Sequence, residues 1–325
     1  MSYKRVFRFA FYSTFGLIVM LVLLHPYSRQ VIFGPRIDGL PLAYWQDQFR
    51  GSCDPTGAVP PSLTSKIIRW LGLDRGDQPW NLPTEKADRL ELLLSLEGDP
   101  QQYVRVAVAD RLGLHSPTER TVQCLRRMLG DRDATVRATA ANTLTAVEPL
   151  PVDALPKLRA MMADDDPKCR LTAAAGVWKL GQKQDREVIA LARKALTDPD
   201  PEIRLLAVRV LVFWIGKDAA EAFPDIADRA ANEPGTRARS MAIEGLYILG
   251  GDAAIPHLIR ALNDSDFRCH AIAVSDLELF GPKAKEAVPA LEALLRRDVS
   301  MSDNIARALS KIDPKRFPAP QKKDN

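Results

Sequence analysis

The chain has 325 residues, of which 46% are apolar and 26% charged, the proportions of an ordinary folded protein. The net charge of +4 sits at the ends: residues 1–83 carry nine Lys/Arg against five Asp/Glu, residues 84–312 carry 32 against 34, and residues 313–325 carry four against two. A near-neutral central region argues against a nucleic-acid groove, which needs a basic excess on the domain itself. The four cysteines form no CxxC pair, and no Cys/His cluster has zinc spacing.

Phe9 to Leu24 is an uncharged run of 16 residues preceded by Lys4, Arg5 and Arg8. With Arg8 snorkelling and His25 and Tyr27 at an interface, residues 1–25 read as a transmembrane signal-anchor helix. No small-x-small site follows it, so a retained anchor is preferred to a cleaved signal peptide. Only Arg29 and Arg36 come soon after the run. That bias predicts a single-pass membrane protein with a cytoplasmic N-terminus and the remainder on the extracytoplasmic side. Residues 26–61 read as a tether with a short helix over Pro41–Arg50, where Trp45 and Phe49 share one side. Residues 51–61 are loop by composition. Residues 62–97 contain two helical patterns, Leu63–Leu71 and Glu85–Leu96. They read as an irregular capping repeat that covers the end of a stack.

From Pro100 onward one unit recurs about every 33 residues. An acidic residue is followed six positions later by an Arg and then by an Ala-rich helix: Asp99 and Arg105, Asp131 and Arg137, Asp164 and Arg170, Asp198 and Arg204, Glu233 and Arg239. A sixth copy pairs Asp264 with Arg268 at a spacing of four. Each repeat holds two helices. Acidic residues open the first helix, where they complement exposed N–H groups and the positive end of the dipole. Its apolar residues follow helical spacing, as in Ile203, Ala207, Leu211 and Val212. Gly181, Gly216, Gly250 and Gly281 mark its end as left-handed C-caps. Pro156, Pro224, Pro256 and Pro289 sit early in the second helix, where a missing N–H is harmless. Ser302–Ile312 closes the stack, and residues 313–325 read as a disordered tail. The expected fold is all-α: a right-handed α-solenoid of about six to seven antiparallel helix pairs over residues 62–312, preceded by the membrane helix.

The segment Asp-Pro-Asp-Pro-Glu-Ile-Arg-Leu-Leu-Ala-Val-Arg-Val-Leu at 198–211 resembles a HEAT repeat, in the short form of phycobilisome-lyase-type proteins. Residues 131–144 and 164–180 resemble it too, and 284–295 resembles the second helix of that unit. The resemblance implies a binding scaffold. It also implies a structural ladder that fixes neighbouring repeats, made by Asp131, Arg137, Asp164, Arg170, Asp198, Arg204, Glu233, Arg239, Asp264 and Arg268.

Enzymes with a similar fold leave traces that can be sought here. Deoxyhypusine hydroxylases use paired His-Glu motifs for two irons, but none of His25, His115, His257 and His270 is followed by Glu. HEAT-like DNA glycosylases use a basic groove with aromatics; Trp178 and Trp214 stand late in first helices, where core positions are expected. There is no phosphate loop, no GxSxG and no catalytic constellation. No metal, no cofactor and no nucleic acid is therefore expected. The expected function is a membrane-anchored, non-catalytic scaffold for a protein partner. The alternative is a lyase, isomerase or other enzyme component acting on a small molecule or modified protein. One feature stands above that background. Arg126, Arg159 and Arg193 each lie five residues before the acid of the next repeat, with Arg127 and Lys194 beside two of them. Stacking would align them as a basic stripe for an acidic partner, ending where Asp228 takes the fourth position.

Overall fold

The computed structural model describes residues 35–37, 40–54, 56, 66, 86–114, 118–148, 151–181 and 185–318. The chain divides into two compact units, Met1–Pro149 and Leu150–Asn325. Within each, antiparallel helix pairs stack as in an α-solenoid.

In the first unit, Arg36–Ile37 (β1) pairs antiparallel with Leu40–Pro41 (β2). It leads into α1 (Leu42–Cys53), followed by α2 (Lys86–Ser95), α3 (Gln102–Leu112), α4 (Glu119–Met128) and α5 (Ala134–Ala146). The described part of residues 26–61, read as a tether with a short helix, holds that helix as a packed element. Tyr44, Trp45 and Phe49 of α1 are buried, and the Trp45 indole donates to the Ile37 carbonyl at 2.8 Å. Helix α1 packs on α2 and α3, and Arg111 stacks over the Phe49 ring. The predicted helix Leu63–Leu71 falls outside the described residues. The core of the unit is built by Leu92, Leu96, Val108, Leu112, Leu125, Val136 and Leu144, all at most 1% exposed. Each contributes on the order of 2 kcal/mol by leaving water.

The second unit continues with α6 (Leu155–Met161), α7 (Pro167–Lys179), α8 (Arg186–Ala195), α9 (Pro201–Arg209), α10 (Phe223–Asn232), α11 (Thr236–Gly250), α12 (Ile255–Ala261), α13 (Phe267–Phe280), α14 (Val288–Arg297) and α15 (Ser302–Ile312). First helices pack on first helices: α7 on α9, α9 on α11, α11 on α13 and α13 on α15. Among the second helices, α10 packs on α12. Helix α9 runs into a π-helical turn over Val210–Ile215, an entirely apolar stretch. Helix α11 crosses that turn closely. A Cβ added at Gly245 would meet Val212 at 2.5 Å, so no larger residue fits there unless Val212 shifts. The left-handed positions are Gly181, Gly216, Gly251 and Gly281. Gly250, expected as a cap, has φ −95° and serves close packing instead, with the Phe223 ring against its Cα.

The single-pass membrane placement, with an extracytoplasmic array, is corrected on the structure: no helix among the described residues is long and apolar enough to cross a membrane. A span needs about 20 apolar residues, whereas the 15-residue α11 carries Arg237, Arg239 and Glu244. The run Phe9–Leu24, on which the expectation rested, lies outside the described residues. Of the tail, residues 313–318 form a turn closed by the Arg316 and Phe317 amides on the Asp313 carbonyl. The Arg316 guanidinium binds Glu292 at 2.7 Å, and residues 319–325 are outside the description.

Candidate functional site: a ladder and its open rung

The repeated acid and Arg build one geometry many times. The acid lies in the turn before each first helix and uses one carboxylate oxygen to hold the amide two residues on. Asp131 takes the Asp133 N–H, Asp164 the Asp166 N–H, Asp198 the Asp200 N–H and Asp264 the Asp266 N–H, each at 2.9 Å. The helix cap itself is the second acid: Asp133, Asp166, Asp200 and Asp266 accept from first-turn amides. The Arg six residues after each ladder acid turns back, and its Nη1 donates to that acid's own carbonyl. Arg105, Arg137, Arg170, Arg204 and Arg239 all do so, at 2.8 to 2.9 Å.

The other edge of the guanidinium, Nε with Nη2, reaches the carboxylate of the following turn. Arg105 grips Asp131 at 2.8 and 2.9 Å, Arg204 grips Glu233 at 2.9 and 2.8 Å, and Arg239 grips Asp264 at 2.8 and 3.1 Å. These are bidentate, largely desolvated pairs, the strongest form of this contact. The Arg204 bonds outweigh burial and hold Glu233 below the usual carboxylate range. Burial raises Asp131 and Asp264, but Arg105 and Arg239 overcome it and both end below their ordinary values.

Two members of this ladder escaped the sequence reading. Arg50 on α1 donates from Nε to Asp99 at 2.7 Å, so the ladder starts one repeat earlier, across a gap of 49 residues. At the other end the period of six persists, but with His270 instead of Arg268. His270 lies 3.3 Å from the Asp264 carbonyl through Nδ1, and its Nε2 stands 3.5 Å from Asp298, an ion-pair distance rather than a hydrogen bond. Arg268 is exposed on the first turn of α13. Asp298 in turn holds the Ser300 amide, as every ladder acid does.

Arg170 differs from its siblings. Its Nη1 is anchored twice, on the Asp164 and Asp165 carbonyls at 2.8 and 2.9 Å. Among the described residues no hydrogen bond or ion pair joins it to Asp198. A groove of about 750 Å³ opens here instead, and Arg170 and Asp198 both line it. Its apolar lining includes Leu171, Ala190 and Leu191, and Lys194 adds a second cation. Glu187 also lines it, seven residues before Lys194 on the same face of α8.

The five arginines and lysines predicted as a stripe fall in both units. Arg126 and Arg127 are on α4; Arg159 is on α6, and Arg193 and Lys194 are on α8. Three of them make a second set of ion pairs. Arg127 binds Glu97 at 2.6 Å, Arg159 binds Asp185 at 2.8 Å, and Arg193 binds Asp225 at 2.6 Å. Arg126 is half-buried. Of the five, Lys194 is the one that lines the groove.

Trp178 is buried. Trp214 is half-buried, with the Arg209 guanidinium 5.8 Å above its ring. A buried carboxyl that no sequence pattern signalled lies on α13. Asp276 is 7% exposed, and its Oδ2 has no hydrogen-bond partner. Burial, reinforced by Glu244, pushes its carboxyl up to about 7. Among the described residues no group of three or more His, Cys, Asp or Glu side chains could hold a metal ion.

A description of HEAT repeats matches the sequence over residues 90–178 and 172–247. The match spans residues 90–247, just under half of the chain, and likens that stretch to HEAT repeats. No curated protein matches the chain in sequence. Among solved structures, the complex of CpcE and CpcF of phycocyanin lyase from Nostoc sp. PCC7120 is 22% identical, with a TM-score of 0.42 over 74% of this chain and 99% of that one. Human deoxyhypusine hydroxylase is 18% identical, with a TM-score of 0.31 over 84% and 97%. A homology model of the full-length AP-3 complex is 14% identical, with a TM-score of 0.54; it covers 85% of this chain and 52% of that chain. At these identities only the fold is in common, and of the three the last carries that argument.

Proposed function

We propose that this HEAT-repeat chain is a non-catalytic scaffold that presents a helical surface to a protein partner, working without metal, cofactor or nucleic acid. The observation that carries the reading is the ladder. Bidentate contacts at Arg105, Arg204 and Arg239 tie one turn to the next, so the helix faces between them are held in fixed register. A surface built this way suits recognition of a long or shaped partner more than chemistry at one point. The near balance of 32 basic and 34 acidic residues over 84–312 favours a protein over a polyanion.

The test is site-specific photocrosslinking in cell extract, with the reactive residue at Ala190 or Ala231, each of which lines a groove. A discrete crosslinked protein, absent when the reactive residue is at Arg268, is expected. Capture of nothing at either site, together with turnover of a small molecule by the purified chain, would replace the scaffold by an enzyme component.

A further inference from the structure

The open rung at Arg170 has a more specific reading, which rests on the scaffold reading and deepens it. We propose that the groove between α7 and α8 is a docking site for a peptide segment of the partner that carries an acidic side chain flanked by apolar ones. In that complex the partner's carboxylate takes the bidentate place on Arg170 that Asp198 leaves open.

The argument comes from the molecule's own repetition. Three rungs show what the Nε–Nη2 edge binds when the Nη1 edge is fixed on the turn carbonyls: a carboxylate, gripped by both nitrogens. Arg170 is fixed in the same way by the Asp164 and Asp165 carbonyls. Its second edge is therefore preset for the same ligand, with little ordering left to do. Lys194 adds a second positive charge to the groove. A carboxylate sheltered in the groove gains from both cations, against the like charges of Glu187 and Asp198 that also line it, and the bidentate grip of Arg170 sets the balance in its favour. The groove is also large enough for a segment rather than an ion. At about 750 Å³ it falls in the range of sites that enclose whole ligands. Leu171, Ala190 and Leu191 supply apolar contact for the flanking side chains. Asp198 keeps one oxygen on the Asp200 amide and offers the other to a donor of the incoming segment.

The experiment pans a random-peptide display library against the full chain and measures the selected peptides by fluorescence polarisation. Selected peptides are expected to carry Asp or Glu beside apolar residues. Replacing that acid by its amide should weaken binding about tenfold or more. Lys194→Glu and Ala190→Glu, both exposed positions on α8, should weaken it to a similar degree, whereas Arg268→Glu should leave it unchanged. Arg170→Gln should abolish binding, and the α8 variants keep the result readable should that substitution disturb the turn. Peptides that bind all variants equally would overturn the groove assignment and leave the scaffold standing, since a peptide surface would exist elsewhere. Peptides without acidic residues, or displacement by inorganic phosphate alone, would overturn the assigned partner chemistry. A library that yields no peptide would overturn the groove proposal. The crosslinking capture would then decide the scaffold reading by itself.

Discussion

The rungs at Arg204 and Arg170 begin alike and end differently. Both guanidiniums are pinned by Nη1 to carbonyls of their own turn. Arg204 then closes on Glu233, whose side chain is 1% exposed, whereas Arg170 faces a groove. The difference separates two uses of one device. A closed rung joins adjacent repeats; an open one leaves a preset binding edge at the surface. The sequence spacing does not decide between them, because the intervals from Arg to the next acid are 29 residues at Arg204 and 28 at Arg170.

The largest break in this comparison should come from the closed rung. Arg204→Met removes the bidentate grip on a buried carboxylate and leaves it Arg229 at 3.3 Å and the Gly235 amide; it should cost about 3 kcal/mol in urea unfolding, while Arg170→Met should cost about 1 kcal/mol or less. The pH dependence carries a sign. Glu233 is depressed in the folded state, so its contribution is present above the ordinary carboxylate value and disappears as pH falls below it. Arg204→Met should shrink that acid sensitivity, with the share due to the Gly235 amide and Arg229 remaining.

Asp276 has the opposite sign. Its folded value of about 7 means the native chain holds a proton that the unfolded chain gives up near pH 4. Stability therefore falls as pH rises from about 4 to about 7 and stays low above that. Asp276→Asn should stabilise by about 2 kcal/mol at pH 8 and by little at pH 4, read from paired thermal melts.

Converting the His270 rung to the standard form is a smaller step. His270→Arg can offer Asp298 two hydrogen bonds where the imidazole stands at 3.5 Å. A gain of about 1 kcal/mol in a thermal melt is expected. The smallest effect belongs to the pairs on the second helices. Arg193 and Asp225 are 38% and 39% exposed, and Arg193→Ala should change stability by about 0.5 kcal/mol or less.

The helical repeats were legible because every level of signal agreed. Period, turn acids, Ala-rich first helices and early prolines in second helices all marked the same elements. The ladder arginines were legible for the same reason. What escaped lay where the period is broken or a side chain substitutes. Arg50 stands 49 residues before its acid, so no local spacing reveals it. Charge points to Arg268, whereas position points to His270. A strict period of six from Asp264 ends on the histidine. The open rung could not be read at all, since Arg170 and Asp198 keep the standard spacing and only packing parts them. Asp276 was hidden among helical apolar positions, where a lone acid ordinarily points to solvent.

Each turn acid holds the amide two residues on and, in the closed rungs, also receives the preceding Arg on both carboxylate oxygens, so that each closing Arg points one repeat ahead. Every full period thus brings one donor and one acceptor of the same kind. Removing or duplicating a whole period would join an unchanged donor to an unchanged acceptor, whereas a cut of half a period would leave both stranded. Whole repeats can therefore be gained or lost without leaving a rung unmatched, while the individual rungs stay free to specialise.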